Sequence, residues 1–242
     1  MTAPSGDQFE IAAVGYRAVV TECGASLRML EYAGRPLVHG FGVDEMSAAA
    51  RGQLLVPWPN RIRDGRYSFG GRDLQLGLTE PARQNASHGL ARWAAWSLEE
   101  HGTSSVSLGY RLMAQSGYPW TVDLHVLYDL SADGLTVTQT ATNLSGEAAP
   151  YASGAHPYLT AGEGPVDGSR TSVVATPSPS RTRSPKAWSS RVSRTGRVTR
   201  KSYGVPVTSS SPTGSSRSSG SSRVPAGRVS SQPSTGPSPA VR

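Results

Sequence analysis

Two histidines stand in short segments that allow close approach. His88 lies in Asn85-Ala86-Ser87-His88-Gly89-Leu90-Ala91-Arg92-Trp93, where the following glycine lets other groups come near the imidazole. His156 lies in Gly154-Ala155-His156-Pro157-Tyr158-Leu159, where small residues precede it and the proline holds the local chain extended. The unperturbed pKa of an imidazole is near neutrality, so either ring can serve as general acid or base. A third segment, Val56-Pro57-Trp58-Pro59-Asn60-Arg61-Ile62-Arg63-Asp64-Gly65-Arg66-Tyr67, sets a tryptophan between two prolines and follows it with an Asn-Arg pair. Arg61 offers a planar fork of donors for hydroxyl or carboxylate groups. Trp58 offers an apolar face of the kind sugars stack upon. Each segment also fits a plainer role: a structural histidine, or a rigid surface loop with Arg61 in an ion pair. Of the other histidines, His39 falls near a strand end, His101 in a Glu99–Gly102 surface turn with Glu100, and His125 mid-strand on an outward face. A zinc site from His88, His125 and His156 has no support in ligand spacing, so no metal is expected.

The elements that must position these residues read as strands. Val106, Leu108, Tyr110 and Leu112 alternate with polar or small neighbours, as do Val122, Leu124, Val126, Tyr128 and Leu130. Leu135 and Val137 start a further alternation. Period-2 alternation turns one side of a strand into a core and the other toward water. Ser131-Ala132-Asp133-Gly134 predicts a hairpin, and Phe69-Gly70-Gly71-Arg72 predicts a second. Only Asp44–Arg51 suggests a turn or two of helix. The fold class expected is therefore all-β, an antiparallel sandwich or barrel.

Composition divides the chain near residue 168. Residues 1–168 hold 11 Arg, no Lys and all 17 acidic residues, a net charge of −6. Residues 169–242 hold 11 Arg, 2 Lys and no acidic residue, a net charge of +13. This second stretch has 22 Ser and 9 Pro, and its only large aliphatics are 9 Val. Such a composition buries too little apolar surface to offset backbone entropy, so a disordered tail is expected over 169–242. Two origins stay open, a genuine basic tail or a GC-rich gene read out of frame. The abrupt onset after Asp167-Gly168 and the Arg-only first part favour the second. The tail's charge would give salt-dependent, unspecific attachment to nucleic acid, but Trp188 and Tyr203 are too few for a stacking platform. The part able to fold is mildly acidic, so no specific nucleic-acid partner is expected. Cys23 is the single cysteine, there is no apolar run of membrane-spanning length, and the first residues are polar. These features predict a cytoplasmic protein without a membrane partner.

Taken together, Asn60-Arg61-Ile62 with Gly65-Arg66-Tyr67, Asn85…His88-Gly89 before Trp93, and Gly154-Ala155-His156-Pro157-Tyr158 resemble the aldose 1-epimerase (galactose mutarotase-like) family in order and spacing, over about residues 10–168. The resemblance implies a large antiparallel β-sandwich that binds a monosaccharide in an open groove. It also implies exchange of the α and β anomers of an aldose without a cofactor. His156 would be the acid at the ring oxygen, and His88 would assist there or hold a neighbouring hydroxyl. Arg61 would donate to sugar oxygens, and Asn60 and Trp58 would shape the pocket. The family base is a glutamate near the C-terminal end, with a substrate-binding aspartate before it. No acidic residue follows Asp167 here. The resemblance therefore implies a C-terminally incomplete sandwich over 1–168 with impaired catalysis. Two alternatives remain: a non-catalytic carbohydrate-binding relic, or a hexose-6-phosphate 1-epimerase that reads phosphate through Arg63, Arg66 or Arg92.

Overall fold

The computed structural model describes residues 2–160 and the backbone of two short strands, Ser190–Val192 and Ser202–Gly204. The chain divides into two units, residues 1–207 and 208–242, and every described residue belongs to the first. Most of the basic tail thus lies outside the described residues.

Strands β1 (Gln8–Ala13), β2 (Tyr16–Thr21), β3 (Leu27–Tyr32) and β4 (Arg35–Pro36) form an antiparallel meander. A short strand β5 (Leu54–Leu55) follows, then β6 (Arg61–Arg63), β7 (Arg66–Phe69), β8 (Arg72–Gln75) and β9 (Asn85–Ser87). β6 pairs with β9, and β7 with β8. The second large sheet contains β10 (Ser97–His101), β11 (Ser105–Leu112), β12 (Val122–Ser131) and β13 (Gly134–Asn143) in that order. β14 (Ala149–Tyr151) and β15 (Gly154–Ala155) close the continuous part. Beyond it, β16 (Ser190–Val192) pairs with β14, and β17 (Ser202–Gly204) lies along Thr136–Thr138 of β13.

The alternation predicted over 105–137 decides how the second sheet lies. Val122, Leu124, Val126, Tyr128 and Leu130 are buried, while their neighbours face outward. This buried face meets the first sheet in one core that includes Ile11, Val20, Leu30, Val106 and Leu108. Each such side chain, fully buried, contributes about 1.5–3 kcal/mol. Two hydrogen bonds fix the layers. The Tyr128 hydroxyl donates to the Ala25 carbonyl (2.7 Å), and the Ala12 N–H donates to the Thr103 carbonyl (2.8 Å). The result is an antiparallel sandwich, one of the two architectures the alternation leaves open and the one the resemblance implies.

Both predicted hairpins form. In β7–β8 the Gly70 and Gly71 φ angles are +60° and +78°, the left-handed pair that matches strand twist and that side chains disfavour. One local expectation holds in its smallest form and one is corrected. Asp44–Arg51 yields only a 3-10 turn at Ala48–Ala50, because Ala49 and Ala50 take positive φ and bend the chain back toward β5. Glu99, Glu100 and His101 belong to β10 rather than to a turn; a bulge between Leu98 and Glu100 and an exposed run of charge suit a sheet edge. His125 faces outward as expected, its Nε2 lying 3.1 Å from the Glu99 carboxylate.

Candidate active site

The ladder between β5 and β15 sets the second histidine. Gly154 pairs with Leu55 and Ala155 with Leu54, which delivers His156 just past the end of the ladder. Its N–H donates to the Gln53 carbonyl (3.1 Å), and its carbonyl accepts from the Gly52 N–H (2.9 Å). The backbone of His156 is thus held on both sides. Its side chain emerges half-buried, as extended geometry before Pro157 requires.

A different device sets the first. Arg61 of β6 lies opposite Ser87 of β9, so Asn60 and His88 meet where the ladder ends. The His88 N–H donates to the Asn60 carbonyl (2.8 Å), and the Asn60 N–H donates back to His88 Nδ1 (3.1 Å). Because Nδ1 accepts, the proton of the neutral ring sits on Nε2. The turn needs left-handed backbone at Asn60 (φ 63°), His88 (φ 63°) and Gly89 (φ 78°). Asparagine and histidine are among the non-glycine residues that enter this region most readily. At Gly89 only glycine fits, since a Cβ would lie 2.0 Å from the Val56 carbonyl oxygen.

The two imidazoles meet edge to face, with centroids 5.8 Å apart at 86°. His156 also stacks on Tyr158 at 5.2 Å, and the Arg51 guanidinium lies 5.4 Å from the centroid of that tyrosine ring. Burial first, then the cation of Arg92, with His156 and Arg61 adding, holds the His88 pKa below the ordinary histidine value; Glu80 opposes them. His88 therefore favours its neutral form, a donor through Nε2–H. Arg61 Nη1 lies 3.4 Å from the Asn60 side-chain oxygen. Arg61, Asn60, His88 and His156 form one continuous group, built from segments about a hundred residues apart.

The aldose 1-epimerase family model matches residues 7–183. The chain belongs to the aldose 1-epimerase family. The match continues past the compositional break at residue 168. Among similar proteins is the E. coli K12 protein named "Uncharacterized protein YihR", 39% identical over 164 residues, which cover 67% of this chain and 53% of the relative. Among solved structures, a GalM/aldose epimerase homologue from C. elegans is 26% identical with a TM-score of 0.58, covering 64% of this chain and 50% of that one. A galactose mutarotase-like protein from Clostridium acetobutylicum, 22% identical with a TM-score of 0.55, shares the fold; the match covers 61% of this chain and 49% of that one. The chain spans about half the length of these relatives.

In this aldose 1-epimerase-family chain the other expected residues fall as follows. Trp58 is half-buried and packs against the core; its buried Nε1 has no hydrogen-bond partner among the described residues. Only part of that ring is left for a sugar. Of the arginines considered for phosphate, Arg63 sits 3.6 Å from the Asp64 carboxylate, and Arg66 donates to Gln75 Oε1 (3.1 Å) within the β7–β8 hairpin. Arg92 is different: half-buried, 5.3 Å from the centroid of the Trp93 ring, and near enough to depress the His88 pKa. Desolvation also lowers the pKa of Arg92 itself. No group of three metal-binding side chains occurs among the described residues, and no helix among them is long and apolar enough to cross a membrane.

Three residues around the group went unread in the sequence. Tyr158 could have been found, because residues i and i+2 of an extended chain share a face with His156. Gln53 is fully buried; its carbonyl receives the His156 N–H and its side-chain amide donates to the Arg92 carbonyl (2.8 Å), tying the two histidine segments together. Glu80 binds Arg61 from nineteen residues away, and no spacing rule signals such a pair.

Proposed function

We propose that the group around His88 and His156 binds a monosaccharide and serves anomer exchange. The observation that carries this reading is the contact between the two imidazoles, with the Asn60-Arg61 pair hydrogen-bonded beside them. Mutarotation needs a base to take the proton of the C1 hydroxyl and an acid to protonate the ring oxygen. The ring opens, rotates about C1–C2 and recloses on the other face. His156 takes the acid's role at the ring oxygen. Neutral His88 donates from Nε2 to the ring oxygen or a neighbouring hydroxyl, and Arg61 donates to further hydroxyls. Asn60 holds His88 and, with Trp58, bounds the pocket.

The family's carboxylate base has no counterpart after Asp167 in this sequence. Loss of a positioned base costs about 10²–10⁴ in rate. On this reading residues 1–242 by themselves bind sugar better than they turn it over, and in the limit act as a carbohydrate-binding relic. The setting is cytoplasmic. The test is NMR saturation transfer and anomer-exchange spectroscopy on residues 1–242 with D-galactose and D-glucose. Binding with turnover below about 1 s⁻¹, the low end of ordinary enzymes, is expected. Normal turnover overturns the impairment, and absence of any sugar binding overturns the site.

Arg92 favours a second reading, recognition of a hexose 6-phosphate. It is a half-buried guanidinium beside His88 with no ion pair among the described residues, so a phosphate would repay its desolvation. Stronger binding of glucose 6-phosphate than of glucose, lost in Arg92→Gln, is what this reading requires.

A further inference from the structure

We infer that Glu80 is a positioning and specificity residue: by clamping Arg61 it reserves that guanidinium for the hydroxyls of a neutral ring and turns it away from anions. This rests on the sugar-binding reading above. Arg61 gives Nε and Nη2 to the two oxygens of Glu80, at 2.5 and 2.8 Å, in a side-on bidentate pair. Such a fork fixes the plane of the guanidinium as well as its distance. The donors left over are on Nη1 and the outer edge of Nη2, and Nη1 is the nitrogen turned to Asn60.

The clamp stands on fixed backbone at both ends. Arg61 is locked in the β6–β9 ladder. Glu80 bridges Asn85 of the same ladder, its N–H donating to the Asn85 carbonyl (3.0 Å) and its carbonyl accepting the Asn85 N–H (3.2 Å). Pro81 then opens a 3-10 turn that carries the chain away. Glu80 is thus held by main-chain bonds, independently of its side chain's bond to Arg61.

The charge consequence follows directly. With Glu80 in place, Arg61 contributes no net charge to the site, and its donors act as oriented dipoles suited to hydroxyls. Without that carboxylate, the same guanidinium presents an uncompensated fork, the arrangement that binds phosphate and carboxylate. Arg92 makes no such hydrogen-bonded pair, although the Glu80 carboxylate also acts on it through space, so the two arginines beside His88 divide the work: Arg61 holds the ring, and any anion is left to Arg92.

The test measures binding by the full chain, because binding does not require a base. Dissociation constants for D-galactose and for inorganic phosphate are obtained by NMR titration of the unsubstituted chain, Glu80→Gln and Glu80→Asp, together with thermal unfolding. Glu80→Gln is expected to weaken galactose binding about tenfold and to tighten phosphate binding about tenfold, with melting temperature nearly unchanged because the pair is partly exposed. Glu80→Asp keeps the charge but lacks the reach for both bonds. It should restore the weak phosphate binding of the parent without restoring galactose affinity. A residue that merely supports the fold would not produce these opposite shifts. Parental affinities for both ligands in Glu80→Gln overturn the inference alone. Failure of the unsubstituted chain to bind galactose overturns the sugar-site reading and the inference with it.

Discussion

The two histidine segments reach one place by opposite means. His156 arrives on extended chain, held by main-chain bonds to Gly52 and Gln53, and its ring rests on Tyr158. His88 arrives on a left-handed turn, and its ring nitrogen is itself a hydrogen-bond acceptor for the Asn60 backbone. The first arrangement fixes the chain and sets the ring itself against two other rings, those of Tyr158 and His88. The second fixes the tautomer and depresses the pKa, so that His88 is a constant donor. On the proposed reading, two chemically identical side chains are thereby given different tasks by their backbones, an acid at one side and a hydroxyl holder at the other.

This contrast can be broken at its turn. Gly89→Ala places a Cβ against the Val56 carbonyl in left-handed backbone. It should cost about 3–5 kcal/mol, read as a large fall in melting temperature, whereas an alanine substitution at exposed Pro157 should cost far less. Equal losses at both positions would show that the turn is not the strained element. Next in size is the difference in chemistry. His156→Gln should remove the remaining anomer exchange, on the order of 10²-fold, while leaving galactose affinity near the parental value. His88→Gln, which keeps a donor, should act mainly on affinity.

The third test uses pH. The folded pKa of His88 is depressed, so as pH falls below about 6.5 the unfolded chain takes up the proton first. Folding stability attributable to His88 is therefore intact above that pH and declines below it. Urea unfolding between pH 7.5 and 5 should show a shallower decline in His88→Gln than in the parent; an unchanged slope would mean that His88 is not desolvated. The smallest effect is expected from Tyr158→Leu, which removes the stacking partner of His156. Ring pairs of this kind are worth about 0.5–1.5 kcal/mol, so exchange should fall only a few-fold, with His88 titration unaltered.

The tail poses a separate question that the gene can answer. Shifting the reading frame after codon 168 should restore alternating apolar residues if the basic stretch arises out of frame. Two shifted frames without such alternation would leave a genuine basic tail.

Much of this molecule was legible in its sequence. Alternation from Val106 to Val137 determined the long strands and, in residues 122–130, the buried face and the outward course of His125, because side-chain direction in a strand has a period of two; in Ser105–Leu112 the pattern is less strict, with Ser107 buried and Tyr110 only half-buried. Glycines at positions 70 and 71 determined one hairpin through their tolerance of positive φ. The Asn60-Arg61, His88-Gly89 and His156-Pro157 pairs, singled out by residue chemistry, are brought together by the fold. Where the reading failed, charge misled it: Glu99 and Glu100 looked like a turn, yet an edge strand carries charge for the same reason, contact with water. Only the tertiary structure decided that Glu80 clamps Arg61, that Asn60 fixes the proton of His88, and that Gln53 ties the two histidine segments together. Those facts depend on which ladders end side by side, and pairing between distant strands is set by burial of the whole core rather than by any local spacing.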